Sequence, residues 1–146
     1  MLRLSKLTDY GIVLMAQLAR DAAGATHTAR ELAAATDLPF PVVGKVLKTL
    51  AREGLLVSHR GVKGGYGLVR PPQQISVSKI IAALEGPVAL TECGQAPGRC
   101  EHEPSCQVRS PWERINRALA HTLDQVTLAD LVHPSDVIPF EELGIR

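Results

Sequence analysis

Apolar residues recur at helical spacing along the first fifty positions. Ile12, Val13, Leu14, Met15, Leu18 and Ala19 cover a wide face of the stretch 10–20, which predicts a well-buried helix. Thr8 is its expected cap, with Asp9 near the positive end of the helix dipole. Thr28-Ala-Arg-Glu31 matches a capping box, so a short helix is expected from 29 to about 35. A turn follows at Thr36-Asp37-Leu38. A third helix starts near Pro39 and Pro41, since proline is tolerated in a first turn. Val43, Val46, Leu47 and Leu50 make one apolar stripe on it, Lys45, Lys48 and Arg52 point elsewhere, and Gly54 stops it.

The periodicity then changes. Residues 55–58 are β-prone, 59–65 form a Gly-rich basic turn, and 66–69 read as a second strand. Two helices joined by a tight turn and followed by a hairpin with Arg60 and Lys63 near its tip are the layout of a winged helix-turn-helix. The third helix would lie in the major groove of double-stranded DNA, and the wing would reach the backbone or the minor groove. Base contacts are expected from Pro41, Val42, Lys45 and Lys48, while Gly44 adds little. The fold class expected is mainly α with a small β-hairpin wing.

After Pro71-Pro72, Ser76 can cap a helix over 77–85, with Ile80, Ile81 and Leu84 inward and Gly86-Pro87 at its end. Ser110-Pro111-Trp112-Glu113 is another N-terminal signature, for a helix running to about 125. Trp112, Ile115, Leu119 and Thr122/Leu123 line one side of it. Such a stripe is expected to pack against its own copy, giving a homodimer; the alternative is packing on the front half. A short helical turn is expected over 127–132, and a loose tail from Pro134. The division is then 1–72 for DNA binding, 73–109 for a linking helix and cysteine loop, 110–132 for dimerisation, and 133–146 for a tail.

Charge sharpens this division. Residues 1–72 carry ten Lys/Arg against five Asp/Glu, whereas 73–146 carry six against ten. Only the front half is suited to meet a polyanion. No apolar run reaches the ~18–20 residues a membrane span needs. Charges occupy the first positions, where a signal peptide would be apolar, so a cytoplasmic protein without membrane association is expected.

All three cysteines fall between the two halves, at Cys93, Cys100 and Cys106, spaced C-x6-C-x5-C among Gly, Pro, Ser and charged residues. Cysteines buried as hydrophobes sit in apolar surroundings, and these do not. One disulfide with a spare thiol is possible. Three thiolates and His102 suit a tetrahedral zinc ion. Thiolates with occasional replacement by histidine suit an iron–sulfur cluster. Spacing alone leaves zinc and iron–sulfur open.

Three features together resemble the iron–sulfur winged-helix regulators, the family of IscR and NsrR. They are the opening Leu4-Ser-Lys-Leu-Thr-Asp-Tyr-Gly11, the wing Arg60-Gly-Val-Lys-Gly-Gly-Tyr66, and the three-cysteine loop before a dimer helix. The opening residues are most similar to the branch that regulates the SUF iron–sulfur assembly operon. The resemblance implies a dimeric transcription factor whose cluster, 2Fe-2S or 4Fe-4S, controls its hold on promoter DNA. It makes Cys93, Cys100 and Cys106 the ligands, 39–53 the recognition helix, and Arg60 a probe of the groove. The signal implied is iron–sulfur supply, oxidative stress or nitric oxide.

The fourth ligand departs from the pattern. The IscR type has a histidine three residues after the third cysteine, where this chain has Arg109. A guanidinium offers no lone pair to a metal. The NsrR type uses an aspartate at the start of the first helix of the other subunit, and Asp9 stands at that position; His102 is second choice. A nitric oxide or redox sensor, a zinc regulator and a cluster carrier are the competing readings. A carrier would lack the steep salt dependence of DNA binding. No nucleophile–base pairing or phosphate loop suggests an enzyme.

Overall fold

Ser5, rather than Thr8, starts the first helix of the computed structural model, which describes residues 3–133. This helix, α1, spans Lys6–Ala19. Ser5 Oγ accepts the Thr8 N–H at 3.2 Å, and Thr8 itself is fully buried. The Glu85 carboxylate, from a distant helix, accepts the Ser5 N–H at 2.6 Å. The acid that usually completes a capping box from within the helix thus arrives here across the fold, so local spacing points to the wrong cap.

The next elements follow the expected pattern. Helix α2 (Ala29–Thr36) carries the complete capping box of Thr28 and Glu31. Asp37 closes it in the left-handed region, at φ 55°, and sets the tight turn into α3 (Phe40–Arg52). Val43, Val46, Leu47 and Leu50 of α3 are fully buried. They meet Leu14, Met15 and Leu18 of α1 and Leu32 of α2 in one core. Each such side chain contributes roughly 1.5–3 kcal/mol through burial.

Strands β1 (Leu56–His59) and β2 (Gly65–Leu68) pair antiparallel, Leu56 opposite Leu68 and His59 opposite Gly65. The wing base is fastened to the α1–α2 connection: Tyr66 N–H donates to His27 O at 2.7 Å, and His27 N–H donates to Tyr66 O at 3.0 Å. A Cβ at Gly65 would stand 2.6 Å from the His27 carbonyl, so this glycine is required by close backbone approach.

A 3-10 turn at Pro72–Gln74 leads into α4 (Val77–Glu85), capped by Ser76 as expected. The cysteine segment is more structured than a bare loop. It contains the short helix α5 (Glu92–Gln95) and a 3-10 turn at Glu103–Ser105. Helix α6 (Arg109–Gln125) begins one residue before the expected Ser110 cap, with Val108 ahead of it and no side-chain cap. Arg109 supports that first turn instead, donating from Nε to Glu113 Oε1 at 2.9 Å.

Helix α7 (Leu128–Val132) turns back onto the front half. Leu128 is fully buried in the common core, and its N–H donates to Ile75 O at 2.8 Å. At the end of α6, Asp124 accepts the hydroxyls of Ser76 and Ser78, each at 2.8 Å, at the start of α4. These two bonds hold its carboxyl below the usual aspartate range. The tail expected from Pro134 lies outside the described residues.

Candidate functional site

Two surfaces carry the residues singled out in the sequence. The first is the outer side of α3 with the wing. The buried stripe of α3 fixes its opposite face, and Pro41, Lys45, Lys48 and Arg52 are exposed there. Val42 is half-buried and packs against the core, which limits its reach. A Cβ at Gly44 would meet nothing within 4 Å, so packing does not demand a glycine there. Arg60 and Lys63 are exposed at the wing tip, on either side of Val62, which is wholly exposed. Sequence reading missed Arg30 and Phe40. Arg30 of α2 lies 5.1 Å over the ring of Phe40, which is 48% exposed at the start of α3. A cation over an aromatic ring was not foreseeable, since the two residues belong to different helices.

The second surface is the thiol segment. Cys93, Cys100 and Cys106 are all free and half-buried. Cys93 lies on α5, Cys100 in the following turn, and Cys106 directly after the 3-10 turn. Asp9 is exposed in the first turn of α1, and His102 is exposed between the second and third cysteines. Among the described residues, no group of three or more His, Cys, Asp or Glu side chains is gathered to hold a metal ion. The chemistry of the donors nonetheless fits a thiolate-bound group. Three thiols within fourteen residues, in polar and partly solvated surroundings, suit an iron–sulfur cluster or zinc better than core packing.

Polar contacts hold this segment on α6. Asn116 Oδ1 accepts the Leu90 N–H at 2.8 Å, and Asn116 Nδ2 donates to Thr91 Oγ1 at 2.9 Å. Thr91 Oγ1 lies 3.2 Å from Cys93 Sγ. Arg109 pairs with Glu103 at 3.0 Å as well as with Glu113. The Glu113 hydrogen bond, then the Glu103 charge, raise the guanidinium pKa further, and Cys93 adds to this in the same direction. The position where a ligand histidine was sought is therefore an ion-pair strut between Glu103 and Glu113. Asn116 and Thr91 escaped the sequence reading because their partners are 25 residues or so away.

A family model described as Rrf2, iron-dependent transcriptional regulator, matches residues 4–134. The chain belongs to the Rrf2 family. Among curated Rrf2-like relatives, the transcriptional regulator CymR of Bacillus subtilis is 30% identical over 135 residues, covering 92% of this chain and 93% of that protein. The protein rrf2 of Nitratidesulfovibrio vulgaris is 25% identical over 138 residues, covering 94% and 92%. Among solved structures, CymR of B. subtilis, described as a global cysteine regulator, superposes with TM-score 0.72 at 30% identity, over 93% of this chain and all of that one. T. potens IscR does so with TM-score 0.67 at 27% identity, over 92% and 89%. The winged-helix fold expected from the sequence is the fold of these regulators. As an Rrf2-family protein the chain is a DNA-binding transcriptional regulator rather than an enzyme. No helix among the described residues is long and apolar enough to cross a membrane.

Proposed function

We propose that this Rrf2-family regulator senses iron–sulfur status through Cys93, Cys100 and Cys106, and controls the SUF iron–sulfur assembly operon as a homodimer. The observation that carries the reading is the placement of the thiols. All three are free and half-buried on one segment, 93–106, set between the DNA-binding half and α6. They lie in polar surroundings where core packing gives no reason for cysteine. The opening residues resembling the SUF-regulating branch support the choice of operon, and the likeness to IscR supports the cofactor.

When bound, an iron–sulfur cluster supplies a redox-sensitive cross-link among the three thiolates. The chain's own residues do the rest. Asn116 and, through Glu103, Arg109 tie the thiol segment to α6, and Asp124 ties the far end of α6 to the start of α4. A change in the segment therefore bears on the angle between α6 and the DNA-binding half. Trp112 and Ile115 are 36% and 45% exposed along one face of α6, and Val108, just ahead of the helix, is 53% exposed. That face is the seam proposed for the homodimer, which would set two recognition helices about 34 Å apart on DNA. Lys45, Lys48, Arg60 and Lys63 meet phosphates or base edges, with Pro41 and Val42 alongside. Asp9 of the partner subunit is the fourth ligand we favour: its place in the first turn of α1 leaves it exposed. His102 is the competitor.

Protein purified without oxygen should be coloured and contain iron and sulfide. Colourless protein holding one zinc per chain would end the iron–sulfur reading. Asp9→Ala should weaken the visible band and shorten its lifetime in air, and an unchanged band would rule Asp9 out. A thiol-only redox sensor is the second reading, favoured by the absence of a gathered donor set among the described residues. It predicts metal-free protein whose DNA affinity changes on treatment with peroxide and is restored by a dithiol.

A further inference from the structure

Asn116 stands out on α6. It is 6% exposed, and it is the buried residue of a helix that otherwise keeps little from solvent. An amide removed from water costs free energy unless its hydrogen bonds are met, and both sides of this one are met. A backbone N–H can only donate, so Oδ1 must face Leu90. The same amide must then present Nδ2 to Thr91 Oγ1. Thr91 Oγ1 accepts this hydrogen bond and lies 3.2 Å from Cys93 Sγ, close enough for its own hydroxyl hydrogen to be donated to the sulfur. The turn is seated tightly on the amide: a Cβ at Gly94 would overlap the Asn116 side chain.

We infer that Asn116 is a positioning residue for Cys93, acting through the Thr91 hydroxyl. The chain Asn116 Nδ2–H to Thr91 Oγ1 to Cys93 Sγ fixes which way the sulfur faces, and it places that control on α6, the helix with the exposed apolar seam. Outer-layer partners of this kind orient metal ligands and tune them. The inference rests on the reading of Cys93 as a ligand, but the contact to Cys93 is testable without it.

Asn116→Asp separates positioning from mere packing. It keeps the shape and the acceptor for Leu90 N–H, but replaces the donor to Thr91 by an acceptor, so the threonine proton turns away from the sulfur. Thr91→Val removes the same relay one step later and serves if the aspartate variant folds poorly. Cobalt(II) added to metal-free protein is the first probe. Both variants should bind cobalt roughly 10–100-fold more weakly. The sulfur-to-metal charge-transfer intensity per bound ion should fall to that of Cys93→Ser, and the double variant should be no worse than either single one. Loss of affinity with full intensity per ion, or additive losses, would overturn the proposal. The second probe is alkylation of the metal-free protein, read for each cysteine by mass spectrometry. The Cys93 rate relative to Cys100 and Cys106 should shift by about twofold to tenfold, the equivalent of one hydrogen bond. If wild-type protein holds no metal, the ligand reading fails while this second result still decides the role of Asn116. Unchanged Cys93 labelling in a folded Asn116→Asp variant would reject it.

Discussion

The front half and the thiol segment with α6 are held together by different forces. The front half closes on a continuous apolar core in which Leu14, Leu47 and Leu50 are fully buried, and Ile80 of α4 and Leu128 of α7 complete it from the later part of the chain. The thiol segment has no apolar core. It is held by an amide, a hydroxyl and an ion-pair strut, through Asn116, Thr91, Arg109 and Glu103. Apolar burial is non-directional and sums to large energies, whereas surface ion pairs and single hydrogen bonds contribute about 1 kcal/mol or less each. The proposed function divides along the same line, with the apolar region as the reader of DNA and the polar segment as the sensor, where small chemical changes at the sulfurs compete with small holding energies.

The comparison breaks most sharply in the core. Leu47→Ala should cost about 2–5 kcal/mol, read as the urea midpoint at constant m-value. Cys106→Ser should leave the same midpoint of the metal-free protein within about 0.5 kcal/mol. A comparable loss in both would show that the thiol segment is part of the core after all.

The exposed face of α6 gives the next effect. Ile115→Asp puts a charge on the proposed seam, and sedimentation should show monomers where the parent protein shows dimers. The variant's helix content should be kept, because Ile115 is 45% exposed within one chain. A monomeric parent protein would refute the seam.

Smaller effects separate local from tertiary stabilisation. Thr28→Ala removes the cap of α2 and should lower stability by about 1 kcal/mol, by denaturation. Gly44→Ala should raise it by about 0.5–1 kcal/mol, since the added methyl meets nothing. A simultaneous loss of DNA affinity in Gly44→Ala would mark that position as a point of close approach to the duplex.

The acid limb of stability is the finest test. Glu85 is held below the usual glutamate range, first by the Thr8 hydroxyl and also by Ser5. The folded state then binds fewer protons than the unfolded one between the two pKa values, so stability is present above the ordinary value of about 4 and is lost as pH falls through the lowered one. Asp124 acts in the same direction. Glu85→Gln should make the acid limb shallower, as seen in thermal melts below pH 5 or so.

Much of the front half was legible because its signals are local. The capping box at Thr28, the stripe from Val43 to Leu50 and the hairpin between Leu56 and Leu68 need only neighbours in sequence. The start of α1 was misread because Glu85, which supports Ser5, is 80 residues away. The wing motif was recognised as a pattern, but its reason appeared only with His27 lying against Gly65. The start of α6 was misplaced by two residues, at Pro111 rather than Arg109, because Arg109 secures the first turn in place of a serine cap.

By itself the sequence determined that a basic winged helix precedes a three-thiol segment and an amphipathic helix, because periodicity, capping and charge are written in neighbouring residues. Only the tertiary structure decided that α7 returns to bury Leu128 in the front core, that Arg109 braces Glu103 and Glu113, and that Asn116 reaches Cys93 through Thr91. Those contacts join residues far apart in the chain, and a hydrogen bond or a close contact exists only once folding brings its two partners within a few ångströms.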